Sequence, residues 1–263
     1  MAECCLLVCF SFIRQDIAMS AVPVSRIFGI PLEGVSLEAA LAWVEREKQT
    51  WIVTANPEIL LEAHRSPTYA ETLKQADLRL VDGFGLWLML RLFGVTTTRV
   101  TGVDLAEALM KRAAERSWRV GLVGFDAEAS KRKWQATFPA LVIHAEEGGT
   151  VSMEGTGDAA NEEAAHRLTL FAPEVLLVAF GHPKQEAWIL KHLLNVPTVK
   201  AAVGVGGTFN VWAGRVKRAP AWMRRMGIEW LWRVVRQPSR LGRIFRAVIV
   251  FPFRFLWSIV RGR

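Results

Sequence analysis

Short apolar runs, each followed by a turn and then by a helical pattern, constrain the fold of this chain more than any other feature. Residues 51–54, 78–81, 119–123, 141–144, 175–180 and 199–203 read as strands. Between them stand helical patterns over 57–64, from Asp82-Gly83 to Phe93, over 102–116, after Asp126 as a cap, over 161–171, and after Gly181-His182-Pro183. Apolar runs without alternation are buried on both faces, and helices between them force parallel pairing. The expected class is α/β, a Rossmann-like, mostly parallel sheet with helices on both faces. Ligands in such sheets sit beyond the carboxyl ends of the strands, so the polar residues there are the ones to weigh.

Charge divides the chain. Of 33 Lys+Arg and 25 Asp+Glu, 13 basic residues and a single acid, Glu229, lie from residue 215 to the end. The remainder is slightly acidic. This asymmetry points to an anionic membrane or to nucleic acid. Interleaved Trp222, Trp230, Trp232, Phe245, Phe251, Phe253 and Trp257 favour the lipid interface. The acidic remainder and the single tyrosine argue against nucleic acid. The expected organisation is a disordered or mis-assigned extension over 1–20, a core over 21–213, and a basic, amphipathic, helical appendage over 214–263 whose removal leaves the core folded. All three cysteines (Cys4, Cys5, Cys9) fall in the first segment, which excludes a disulfide framework or zinc spacing. No run reaches the ~18 apolar residues of a spanning helix, because Pro252 and Arg254 interrupt 247–260.

Four strand ends carry polar groups. Thr54 and Asn56 sit at the first, where Asn56 is also suited to cap the helix opened by Pro57. Asp82 sits at the second beside Gly83 and Gly85, placed as a general base or as a helix cap. Lys184 and Gln185 follow Gly181-His182-Pro183, where a helix start favours anions, and Glu186 reads as a capping-box partner. Gly204, Gly206, Gly207, Thr208 and Asn210 form a glycine-rich turn able to aim N–H groups at a phosphate. The turn matches neither a dinucleotide fingerprint nor a P-loop. The tail adds arginines from Arg215 to Arg246, whose forked guanidinium groups suit phosphates.

These pieces, in order, resemble the WecG/TagA/CpsF glycosyltransferase family over about 27–243. The resemblance rests on TANPE at 54–58, ADLRLVDGFG at 76–85, RVTGVDL at 99–105, GHPKQEAWI at 181–189 and VGVGGTFNVWAGRVKRAPAWMRRMGIEWLWR at 203–233. It implies inverting transfer of an N-acetylmannosamine-type or other hexose from a UDP-sugar to polyprenyl-diphosphate-linked N-acetylglucosamine. Such products feed teichoic acid, enterobacterial common antigen or exopolysaccharide. It implies Asp82 as general base with Thr54 and Asn56 beside it, Arg99 and Gln185 in substrate binding, and Arg233, Arg240 and Arg243 on the diphosphate. Lys184, Gly204, Gly206, Gly207, Thr208 and Asn210 are expected to join the substrate-binding set. Asn210 stands where the family has Asp, and HAEEGGTVSMEG replaces a "GYF"-type loop. The UDP-sugar is a co-substrate, with no cofactor and no metal expected, because no Asp-x-Asp or His-Glu-x-x-His occurs. The expected location is cytoplasmic, peripheral on the inner face of the plasma membrane, with no nucleic-acid partner and room for a homo-oligomer. The alternative is a peripheral module that binds anionic lipid through the same tail and carries a degenerate site.

Overall fold

The structure, a computed structural model, describes residues 24–236 and 241–260. The segment 1–20 with its cysteines, Pro238 and Arg240 lie outside the described residues. The strands are β1 (Val24–Ile27), β2 (Ile30–Glu33), β3 (Thr50–Ala55), β4 (Leu78–Val81), β5 (Val120–Gly124), β6 (Ile143–Glu146), β7 (Val175–Ala179) and β8 (Ala201–Gly204). They form one sheet in the order β1-β2-β4-β3-β8-β7-β5-β6. Only β1 and β2 pair antiparallel, and every other pairing is parallel. The α/β class expected from the apolar runs is the one found, with boundaries shifted by one or two residues. β3, β4, β5, β7 and β8 are buried along their whole length, as strands covered on both faces must be.

The hairpin β1–β2 was not legible in the apolar pattern. Its two-residue loop, Phe28-Gly29, has both φ angles positive, at 52° and 78°. That conformation matches the right-handed twist of the flanking strands. A buried ion pair then fastens the hairpin to β4: Arg79 Nη2 lies 2.6 Å from Glu33 Oε1. Arg79 also donates to the carbonyls of Pro31 and Ala76, so the guanidinium is well satisfied. Burial pushes the Glu33 carboxyl up, against the pull of Arg79.

One face of the sheet carries the helices Pro57–Arg65, Pro67–Lys74, Phe84–Leu92 and Lys184–His192. The other carries Leu37–Arg46, Gly102–Arg116, Ala127–Thr137 and Thr208–Trp212. The C-terminal segment also returns to the first face. Phe251 and Phe255, on the helix Phe251–Val260, are buried in that core. The Phe251 ring meets Phe28 edge-on at 6.0 Å, and the Phe255 ring meets Phe93 at 5.3 Å. This corrects two expectations. Phe251 belongs to the protein interior rather than to a lipid interface, and removing 214–263 would strip buried side chains from the core. Asp126 is a further correction: at φ 68° it makes no side-chain cap, and its carboxylate instead receives Arg215 Nε at 2.6 and 2.7 Å. No helix among the described residues is long and apolar enough to cross a membrane.

Candidate active site

β3 and β4 deliver their last residues side by side. Thr54 is buried, and the helix Gly102–Arg116 begins directly against it. A Cβ on Gly102 would sit 3.1 Å from Thr54 Oγ1, so glycine permits the approach. Asn56 Oδ1 accepts from the Glu58 and Ile59 N–H groups, both at 3.0 Å, so its side-chain oxygen is occupied in capping. The Asp82 N–H donates to the Ala55 carbonyl at 2.8 Å, which fixes the carboxylate just past the strand end. Asp82 Oδ2 accepts from the Gly102 N–H at 3.5 Å. It therefore faces the positive end of a 15-residue helix. The cap position of Phe84–Leu92 belongs to Gly83, at φ 86°, and not to Asp82.

The basic C-terminal segment folds over this edge. Gly227, at φ 74°, lies flat on the Phe84 ring, which leaves no volume for a side chain. Arg99 Nη2 donates to the Arg224 carbonyl at 2.7 Å. Arg218 Nη2 reaches Asp104 Oδ1 at 2.5 Å, and Arg224 Nη1 lies 3.8 Å from the same oxygen. Burial pushes the Asp104 carboxyl up, but Thr101, Arg218 and Arg224 outweigh it and hold the group below the ordinary aspartate range. Arg218 Nε and Arg224 Nε are buried with no hydrogen-bond partner among the described residues. Three guanidinium groups thus gather beside the helix start that Asp82 faces.

The ends of β7 and β8 meet through Gln185, which is 4% exposed. Its Oε1 accepts from the Gly181 N–H at 3.1 Å and from the Gly206 N–H at 3.0 Å. Its amide lies where a Cβ on Gly204 would fall. Gln185 therefore joins two loops, and the Gly206 N–H is directed at Gln185 rather than outward. Thr208 is likewise turned in, its hydroxyl donating to the Val205 carbonyl at 2.8 Å. The helix after this turn is only five residues, Thr208–Trp212. The turn expected to aim N–H groups at a phosphate spends several of them internally, since Val205 N–H also bonds the Val178 carbonyl and Thr208 N–H the Val205 carbonyl. Gly207 stands exposed at the tip, while Lys184 and Asn210 are half-buried.

Beside Gln185, Glu186 is fully enclosed. It accepts from Gln185 Nε2 at 2.7 Å and from the Tyr69 hydroxyl at 3.1 Å. Burial pushes its carboxyl up to about 7, against those two hydrogen bonds. Sequence reading gave Glu186 a capping role and passed over Tyr69, because nothing local links residues 117 positions apart.

A pocket of about 200 Å³ opens next to this network, lined among others by Glu58, Glu62, His182, Arg243 and Arg246. Glu58 Oε2 lies 3.4 Å from Arg243 Nε and 3.8 Å from His182 Nε2. Burial pulls the His182 ring pKa down, with Arg243 and Arg246 adding to it and Glu58 and Glu62 opposing. Of the three arginines expected on a diphosphate, Arg243 is at the crevice. Arg233 lies on the helix Glu229–Arg236, and its side chain, like Arg240, is outside the described residues.

Comparison with known proteins gives a consistent picture. The glycosyl transferase WecG/TagA/CpsF family matches residues 25–263. An N-acetylglucosaminyldiphosphoundecaprenol N-acetyl-beta-D-mannosaminyltransferase of Bacillus spizizenii is 33% identical over 233 residues, 86% of this chain and 87% of that protein. A protein of the same name from Staphylococcus aureus strain MRSA252 is 33% identical over 208 residues, 78% of each chain.

Proposed function

This chain belongs to the glycosyl transferase WecG/TagA/CpsF family and is a glycosyltransferase; we propose that it moves an N-acetylmannosamine-type or other hexose from a UDP-sugar to a polyprenyl-diphosphate-linked N-acetylglucosamine, with inversion. The observation that carries the reading is the carboxylate of Asp82, set at the strand end against the start of Gly102–Arg116, with Arg99, Arg218 and Arg224 gathered alongside. In this reaction Asp82 takes the proton of the acceptor hydroxyl. The hydroxyl oxygen forms a bond to the anomeric carbon as the bond from that carbon to the UDP oxygen breaks. UDP leaves with the electron pair, and one displacement inverts the centre. Thr54 and Asn56 shape the floor beside the base. Charge on the diphosphate is met by cations: Arg99, Lys184 and Arg243, with Arg233 and Arg240 supplied by the same C-terminal segment. Guanidinium forks suit this role without a metal ion.

The acceptor is held in a bilayer, and the C-terminal segment is suited to reach it. Phe245, Ile249, Phe253 and Leu256 recur three or four residues apart and are exposed, with Trp257 beside them. Arg246 and Arg254 are also exposed there. An apolar face edged with arginine lies in a lipid interface without spanning it. The proposed setting is peripheral, on the cytoplasmic leaflet.

The test is radiolabelled transfer from a panel of UDP-sugars to a short-chain polyprenyl-diphospho-N-acetylglucosamine. One donor should be used, with activity surviving EDTA, and Asp82→Asn should lower turnover about a hundredfold or more with the fold intact. Normal turnover by that variant would remove Asp82 from the base role. Loss of activity in EDTA, restored by magnesium or manganese, would overturn the account of the diphosphate.

A further inference from the structure

We propose that Tyr69 and Glu186 are positioning residues, which lock the Gln185 amide in the one orientation that ties the loop after β7 to the loop after β8. The part that concerns transfer rests on the reaction proposed above.

The argument starts from Gln185 Oε1. It accepts two backbone N–H groups, one from Gly181 and one from Gly206. An amide turned by 180° would set its NH₂ group against both donors and lose both bonds. Shape alone does not choose between the two orientations, because the oxygen and nitrogen of an amide are nearly the same size. The two N–H donors make the choice, and it is held from the other end of the group. Gln185 Nε2 donates to Glu186 Oε1, an oxygen that accepts from the amide whether the carboxyl is ionised or carries its proton on the other oxygen. The carboxylate is fixed in turn by the Tyr69 hydroxyl on its second oxygen. Tyr69 comes from Pro67–Lys74, the helix that follows Pro57–Arg65, whose first turn carries Glu58 of the pocket.

The network is dry. Tyr69 is 5% exposed, Gln185 4% and Glu186 1%, so water cannot stand in for a missing partner. Gly204 is part of the same device, because a side chain there would occupy the space of the Gln185 amide. The spacing of the two strand-end loops therefore depends on a carboxylate and a hydroxyl that never reach the crevice. An offset of about 1 Å between such loops is enough to cost turnover up to a hundredfold.

Glu186→Gln preserves this lock. Its amide oxygen can accept from Gln185 while its NH₂ group donates to the Tyr69 oxygen. Glu186→Leu removes the acceptor, and Tyr69→Phe removes only the outer support. The experiment measures hydrogen exchange of the Gly181 and Gly206 amides in the full-length protein and, in parallel, transfer kinetics. Exchange protection of both glycines should fall about tenfold or more in Glu186→Leu, fall less in Tyr69→Phe, and persist in Glu186→Gln. Turnover should follow the same order, with kcat lowered by about tenfold or more in Glu186→Leu, KM for the donor changed much less, and Glu186→Gln near wild type. Should Glu186→Leu fail to fold, the contrast between Tyr69→Phe and Glu186→Gln decides. Unchanged protection of the two glycines in every folded variant would overturn the lock, whether or not the chain transfers any sugar. Lost protection with unchanged kcat would overturn the positioning role alone.

Discussion

Replacing Phe251 by alanine tests whether the C-terminal segment is part of the folded core. The side chain is 0% exposed and packs on Phe28 at 6.0 Å and on Phe255 at 6.4 Å. A buried Phe→Ala change costs about 3–5 kcal/mol, of which each lost aromatic pair accounts for roughly 0.5–1.5. A protein of this kind has about 5–15 kcal/mol in all, so the loss is large. Phe253, two residues away and 66% exposed, is the control: its replacement should stay within about 0.5 kcal/mol. Urea denaturation followed by tryptophan fluorescence reads both variants. Phe251→Ala should show a lower midpoint and a melting temperature lower by roughly 10 °C. If Phe251→Ala and Phe253→Ala were equally mild, the segment would not be docked in solution. The argument from burial would then fail for every residue from 241 onward.

Three further outcomes are expected. The folded-state pKa of Glu186 is raised to about 7, so the native protein holds a proton there that the unfolded chain releases near 4.5. Stability is therefore lost as pH rises through that window, and the wild type should lose about 3 kcal/mol relative to Glu186→Gln between pH 4.5 and 7.5, read by denaturation at each pH. Gly227→Ala, which drives a methyl into the Phe84 ring at a positive φ, should cost about 1–3 kcal/mol and lower transfer by tenfold or more. Flotation with anionic vesicles should fall steeply between about 0.1 and 1 M salt, and fall further for Trp257→Ala than for a core-neutral surface change.

Much of this fold was readable because its strands are buried on both faces and stand out as uninterrupted apolar runs. The positions of Thr54, Asn56 and Asp82 at strand ends were legible for the same reason, since Thr54 lies at the end of such a run and the other two stand just past one. The hairpin was not, because its strands are four residues long and its turn uses Phe28 at a positive φ where Asn-Gly is the usual signal. Nor did composition separate Phe251 from Phe253. Only the helical phase does, and the phase has meaning only once the surface it meets is known. The same holds for the arginines. Sequence counts cations, whereas the fold assigns Arg215 to Asp126 and Arg218 to Asp104.

The order of the strands also governs how the molecule is born. Among the described strands β8 is the last to be synthesised, yet it lies between β3 and β7 near the centre of the sheet. Until residues 201–204 leave the ribosome, the nascent chain holds two half-sheets, each with an open, apolar inner edge. Such edges are templates for wrong pairing. Closure of the sheet waits for residues 201–204, and burial of Phe251 and Phe255 comes later still. The sheet therefore cannot be completed until β8 is made, and a message truncated before residue 201 yields a sticky half-sheet rather than a smaller enzyme.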